Sequence, residues 1–219
     1  MHSVIKNWKL YLQKPAFRNE FALTCLAFFV AGSQNIHFIA EFEKRQGTRL
    51  NDFVLHLLTP TDFSTPIFLI TYSTVLIVLL ELLASPPKLT KGLQMFALLS
   101  FFRTLSIFLV PLEAPADIIF LNDPFANILL HQPDLQVVKD LFFSGHTATI
   151  ALMYFLAQKK WAKIYCGIAL IVSPTLILWQ HVHYTIDIIA AIPAAYFCYR
   201  FVNWLHLQRN LRWQPQSAL

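Results

Sequence analysis

An all-α, polytopic membrane bundle is the fold class this chain predicts, and three observations carry the prediction. Of its 219 residues, 56% are hydrophobic and only 13% charged, whereas a soluble domain carries about 25% charge. Six apolar stretches, roughly 21–40, 66–85, 92–111, 141–158, 161–180 and 184–205, approach the ~20 residues that a helix needs to cross a ~30 Å hydrocarbon core. Most of the 17 Lys and Arg fall between these stretches and gather in alternate connections, as cytoplasmic loops do. The net charge of +5 is dispersed and forms no single patch, so nucleic acid is not an expected partner.

Residues 1–20 read as a cytoplasmic N-terminal segment bearing Lys6, Lys9, Lys14 and Arg18. The apolar run that follows, Phe21 to Ile39, is too long for a signal-peptide core and lacks a small-residue cleavage site before Glu41, so a retained first helix is expected. Its second half carries Ser33, Gln34, Asn35 and His37, which favours an early end or a protein-facing side. The third stretch holds Arg103, and Glu81 near the inner end of the second reads as an interfacial residue. Residues 21–205 are expected to form one six-helix membrane domain, and 206–219 a cytoplasmic C-terminal tail. Cys25, Cys166 and Cys198 all lie in apolar stretches without metal-like spacing and read as small buried hydrophobes.

Charge placement sets the expected orientation. The N-terminal basic residues, Lys88 and Lys91, Lys159, Lys160 and Lys163, and Arg200, Arg209 and Arg212 fall on one side. Lys44, Arg45, Arg49 and Lys139 fall on the other, with Asp117, Asp123, Asp134 and Asp140. The positive-inside rule places both termini in the cytoplasm. Two outer connections, about 41–65 and 112–140, exceed the usual ~4–6 residues. The first includes an apolar run, Phe53 to Leu58, suited to an interfacial helix; the second has Pro111, Pro115, Pro124 and Pro133. Trp161, Trp179, Trp204 and Tyr184 lie near segment ends, as interfacial aromatic belts do.

Two polar clusters stand at the mouths of apolar segments: Phe143-Ser144-Gly145-His146-Thr147 and His183-Tyr184-Thr185-Ile186-Asp187. Polar groups at membrane depth are costly and usually functional. Both clusters fall on the non-cytoplasmic side. On a helix, His183 and Asp187 at i, i+4 share a face, so the carboxylate can fix the imidazole tautomer and leave the other nitrogen as nucleophile. His146 at the start of another helix is placed to exchange a proton with a leaving group. Ser144 and Gly145 stand at the helix N-terminus, where backbone N–H groups favour phosphate oxygens. Arg103, about two turns or ~12 Å inside the outer surface, reads either as a phosphate clamp or as the partner of Asp140 or Asp187, if it does not snorkel to the headgroups. His181 reads as a gate or loop contact. The acidic residues Asp117, Asp123 and Asp140 lack metal-ligand spacing and read as loop carboxylates or contacts to a cationic headgroup.

These residues carry a resemblance. Ser144-Gly145-His146-Thr147 and His183-Tyr184-Thr185-Ile186-Asp187 resemble the two catalytic motifs of the sphingomyelin synthase family, a branch of the type-2 phosphatidic acid phosphatase (lipid phosphate phosphatase) superfamily. Phe102-Arg103-Thr104, followed by a Pro-bearing stretch, extends the similarity, which covers roughly residues 90–205. The resemblance implies a metal-independent double displacement without a cofactor. His183 attacks phosphorus, Asp187 orients it, and His146 protonates the leaving alcohol and then activates the acceptor. Ser144, Gly145, Arg103 and Tyr184 are the implied phosphate- or substrate-binding residues. The partners implied are the bilayer, a membrane phospholipid, and a ceramide or diacylglycerol hydroxyl or water as acceptor. A plasma membrane, bacterial inner membrane by preference, with the site on the periplasmic or extracellular face, is the expected location. No oligomeric state is read from the sequence.

The chain departs from the wider superfamily. It lacks the upstream Lys and Arg-Pro signature; Leu176 and Ile177 occupy the positions of a Ser-Arg pair, and Phe143 replaces the usual Pro. Two phosphate-binding arginines are therefore absent, which favours the synthase-like branch and gives weight to Arg103. The alternatives are a lipid phosphate phosphatase, a catalytically silent lipid-binding or transport protein of the same fold, and a small transporter with a histidine proton relay.

Overall fold

The computed structural model describes residues 2–123 and 138–212. Their regular structure is helical: α1 (His2–Leu12), α2 (Pro15–Lys44), α3 (Phe53–His56), α4 (Ser64–Leu83), α5 (Pro86–Leu109), α6 (Gly145–Leu156), α7 (Lys160–Trp179) and α8 (Thr185–Arg212). Thr48 and Leu112 form an isolated parallel bridge between the loops after α2 and α5. Pro124, Pro133 and Asp134, and the side chains of Gln34, Asn35, His37 and Arg212, lie outside the described residues.

Four helices are long and apolar enough to cross a membrane by length and composition: α4, α5, α7 and the Thr185–Arg209 part of α8. They coincide with the second, third, fifth and sixth expected segments. The first lies within the 30-residue α2. The fourth differs from expectation: of 141–158, only the 12 residues Gly145–Leu156 are helical, about 18 Å at 1.5 Å per residue. Ser144 caps one end, and Ala157 leaves the helical region at φ −56°, ψ 128° at the other.

The short α6 is the centre of the bundle, packed against α4, α7 and α8. Ile150, Ala151 and Leu152 have no exposed surface, and Ala151 and Leu152 share one buried cluster with Ala148, Ala191, Ala195 and Cys198. Such small residues let helix backbones approach closely where lipid removes the hydrophobic drive between helices. Phe29, Leu76, Leu80, Ile171, Ile189 and Phe197 point outward, an apolar exterior that suits acyl chains rather than water. Cys166 and Cys198 are buried as expected, but Cys25 is exposed. Its helix packs on α5 and α1 alone among the stronger helix contacts, which leaves much of its surface to the outside.

The N-terminal segment is more ordered than a tail. Trp8 donates from Nε1 to the Leu83 carbonyl at 2.9 Å and Asn7 from Nδ2 to the Ala84 carbonyl at 3.1 Å, so α1 covers carbonyls that a helix C-terminus leaves unpaired. Glu81 at the same end accepts the N–H groups of Gln158 and Lys159 at 2.8 and 3.4 Å, tying α4 to the α6–α7 connection. The helices alternate in direction, and Arg45 at the end of α2 donates to the Phe108 carbonyl near the end of α5 at 2.9 Å. The starts of α4, α6 and α8 therefore meet the ends of α2, α5 and α7 at one end of the bundle, and both histidine motifs lie there.

Candidate active site

The second motif is built by the first turn of α8. His183 and Tyr184 precede the helix, and Asp187 stands in its opening turn. Asp187 Oδ2 accepts the Tyr184 N–H at 3.0 Å and faces His183 Nδ1 at 3.2 Å. The expected pairing thus forms, but through a carboxylate reaching back to the residue before the helix, as in half of a capping box, rather than along one helical face. His183 and Asp187 are buried, and Asp187 Oδ1 has no hydrogen-bond partner. A buried acceptor left unpaired is uncommon away from functional sites. With Nδ1 held by the carboxylate, Nε2 is the nitrogen left for chemistry.

The first motif opens α6. Ser144 is fully buried and caps the helix, its Oγ accepting from the Thr147 N–H at 3.5 Å and the Thr147 hydroxyl at 3.1 Å. The Ser144 N–H donates to the Asp187 carbonyl at 3.2 Å, so the two motifs are joined through backbone although about 40 residues separate them. His146 stands one residue beyond Gly145, its ring edge-on to Phe68 of α4 at a centroid distance of 5.2 Å. His146 and Arg103 line one cavity.

Arg103 reaches this helix start from α5. Its Nη2 pairs with Asp140 Oδ2 at 2.6 Å, and its Nε donates to the Phe143 carbonyl at 3.2 Å. Of the partners open to it from the sequence, Asp140 is the one engaged. Glycine is required at 145 for this approach, because a Cβ there would stand 2.8 Å from Arg103 Nε. Gly145→Ala is expected to push the guanidinium away from Asp140 with little effect on folding; a shift of the Arg103 Nε–H resonance is the readout, and an unmoved resonance refutes the packing argument.

A cavity of about 660 Å3 runs from this cluster into the bundle. Arg103, Asp140, Gly145 and His146 line it along with apolar residues as far as Leu89 and Leu156, towards the opposite end. The stretch from His146 to Leu156 alone is about 15 Å long, room for an extended acyl chain beneath a polar group.

The loops after α2 and α5 brace the motif from the other side. Asp52, which sequence reasoning overlooked, accepts from the Thr185 N–H at 2.5 Å and from its hydroxyl at 3.0 Å while also capping α3 through Val54. An Asp ahead of an apolar run is a visible cap signal; its second bond, 133 residues away, is not. Tyr184 is buried, its hydroxyl donating to the Glu113 carbonyl at 2.8 Å and accepting from the Leu50 N–H at 3.3 Å. It thereby ties both loops to the motif. Lys139 pairs with Glu113 at 2.8 Å, and Tyr72 donates to Asp123 at 2.6 Å. Asp117 is exposed on the loop.

Burial raises the Asp52 pKa, but hydrogen bonds from Thr185 and from the Val54 and Leu55 N–H groups outweigh it, and the net shift is downward. The Lys139 side-chain bond, then the Gly47 N–H, hold Glu113 low as well. A depressed carboxyl stabilises the fold fully above its unfolded value, ~3.9–4.3 for Asp and Glu, and loses that contribution as pH falls through the folded value. Acidification through this window is expected to release the loops after α2 and α5 before the bundle. Hydrogen exchange should show the Gly47, Val54 and Thr185 amides losing protection first, and pH-independent protection of all three would contradict the linkage.

The structure therefore gathers Arg103, Ser144, Gly145, His146, His183, Tyr184 and Asp187 at one end of the bundle, with Ser144 acting as a cap and Tyr184 as a loop tie. Among the described residues, no group of three His, Cys, Asp or Glu side chains forms a metal cluster. Residues 139–205 match the family model described as PAP2 superfamily C-terminal. That match spans both motifs and supports the type-2 phosphatidic acid phosphatase superfamily, leaving α1 to α5 and Arg103 outside it. No curated protein matches the chain.

Proposed function

We propose that this chain is an integral membrane enzyme that transfers or hydrolyses a phosphate-linked lipid headgroup through a phosphohistidine, in the manner of the sphingomyelin synthase branch. The observation that carries the reading is the buried His183–Asp187 pair joined by backbone to the Ser144-Gly145-His146 turn. His183 Nε2 attacks phosphorus as the P–O bond to the leaving alkoxide breaks, and His146 gives that oxygen its proton. In the second half, His146 takes the proton of an acceptor hydroxyl, the new P–O bond forms, and the P–N bond to His183 breaks. Asp187 holds the imidazole and stabilises its charge. Arg103 and the N–H groups opening α6 offset charge on the equatorial phosphate oxygens. Water as acceptor makes the enzyme a phosphatase or a phospholipase-like hydrolase; a ceramide or diacylglycerol hydroxyl makes it a phosphotransferase. Charge counting puts this chemistry on the non-cytoplasmic face.

The silent lipid-binding alternative has one observation in its favour: the Arg103 charge is already paired with Asp140, so a phosphate must share it. Purified protein assayed with headgroup-labelled phospholipids, with and without ceramide or diacylglycerol, separates the readings. Release or transfer of label with an acid-labile phosphohistidine is expected. Lipid binding without either product leaves the silent protein as the answer.

A further inference from the structure

A second cavity, of about 490 Å3, lies in the outer layer, lined by Arg49, Asp52, His56, Asp117, His181 and Tyr184 among others. Its size is ordinary for a small-ligand site, and its mixed lining, which also includes Leu50, Leu55 and Leu58, is more polar than the passage below Arg103. Two features of His181 set it apart. Its side chain is 5% exposed, and its Nε2 is buried without a hydrogen-bond partner. Its backbone is also left-handed, at φ 57°, a region that non-glycine residues seldom occupy.

The surrounding fold holds that conformation in place. Gln180, with no exposed surface, accepts the Phe63 N–H at 2.8 Å and donates to Ser64 Oγ at 2.9 Å and to the Ile119 carbonyl at 3.2 Å. The His181 and Val182 N–H groups return to the carbonyls of Leu178 and Ile177. His181 lines the cavity while its Nε2 is covered and unpaired; strain kept by so many contacts, ending in such a nitrogen, points to a ligand group that the imidazole meets by turning towards the cavity.

We infer that this cavity is a headgroup subsite, with His181 the specificity-determining contact to a hydroxyl or amino group of a phosphodiester headgroup. The inference rests on the lipid-phosphate reading above. The long apolar cavity carries His146, the acid for the leaving oxygen, so the acyl-bearing alcohol departs on that side. The headgroup then stays on phosphorus at His183, between His181 and Tyr184 in the chain, where the polar cavity lies. His181 exchanges no proton in this scheme; it hydrogen-bonds the headgroup and selects it.

The test is ligand binding by saturation-transfer NMR, using full-length protein and soluble headgroups: glycerophosphoglycerol, glycerophosphoethanolamine and glycerophosphoserine, against glycerol 3-phosphate. At least one phosphodiester is expected to bind with the strongest transfer to its terminal headgroup protons. His181→Gly, which suits the left-handed backbone, should weaken it about tenfold, the scale of one lost hydrogen bond, and leave glycerol 3-phosphate unchanged. His181→Asn, tolerant of the same backbone and able to hydrogen-bond, should recover part of the loss. The proposal is overturned when no phosphodiester binds at millimolar concentration, or when His181→Gly weakens every ligand equally or none. A protein that binds and discriminates but forms no phosphohistidine would refute the catalytic reading alone. One that forms phosphohistidine with binding indifferent to residue 181 would refute this subsite alone.

Discussion

Asp187→Asn is expected to leave the bundle folded and to lower phosphohistidine formation by about 10³-fold or more, the scale seen when a buried carboxylate orienting a catalytic imidazole becomes an amide. The carboxylate does two things at once: Oδ2 holds His183 Nδ1 and accepts the Tyr184 N–H. An amide can accept the backbone bond through its oxygen, which spares the turn. It cannot stabilise an imidazolium, and if its NH2 faces Nδ1 it stabilises the wrong tautomer. Rapid-quench measurement of the acid-labile intermediate is the direct readout. His183→Ala should abolish the intermediate altogether. Equal rates in wild type and Asp187→Asn would remove Asp187 from the mechanism and return the 183–187 contact to a purely structural cap.

Arg103→Gln carries the second large effect, a loss of about 10²–10³ in kcat, typical of removing one preorganised donor from a developing anion. The salt bridge to Asp140 supplies a rival cause, since breaking one partner of a largely buried pair leaves the other uncompensated. The double variant Arg103→Gln/Asp140→Asn separates the two. If Arg103 served only to neutralise Asp140, the double variant regains activity. If it binds phosphate, activity stays low, while Asp140→Asn alone lowers KM by freeing the guanidinium. Arg103→Lys should recover little, because the ammonium cannot reach both the Phe143 carbonyl and a phosphate with a planar fork.

Much of the bundle was legible because lipid leaves few choices: an apolar stretch of about 20 residues has to satisfy its backbone as a helix. That logic found α4 and α7 within two residues at each end, while α5 starts six residues earlier than expected and α8 runs seven residues further. It failed on α6, since apolar composition continues through Leu141-Phe142-Phe143 and says nothing of where a cap begins. Ser144 decides that boundary by accepting from Thr147. It also failed on Cys25, because burial depends on which neighbours a helix acquires, and α2 acquires few.

The motif residues were legible as chemistry, through residue type and short spacing. Their roles in the structure were less so. Ser144 reads as a phosphate contact in the sequence, and in the fold its hydroxyl caps α6. Tyr184 looked like a substrate contact or belt residue, and its hydroxyl is taken by two loop backbone groups. Arg103 had three possible partners and took Asp140. Asp52 was passed over and His181 read only as a gate or loop contact, because their significance lies in bonds or cavities made with residues far away in the chain.

Local and near-local interactions thus reach the reader of a sequence intact: apolar runs, charge asymmetry between loops, and a His and Asp four residues apart. Their energies depend on neighbours in the chain or on the bilayer itself. The meeting of α5, α6 and α8 does not. It depends on small residues letting three helices pack closely, on a glycine that leaves room for an arginine, and on one backbone bond from Ser144 to Asp187. Those are tertiary contacts, set by shape complementarity between distant segments. Charge placement already assigns the two histidine motifs to one side; only the folded chain joins them by a backbone bond, with an apolar cavity below and a more polar one beside them.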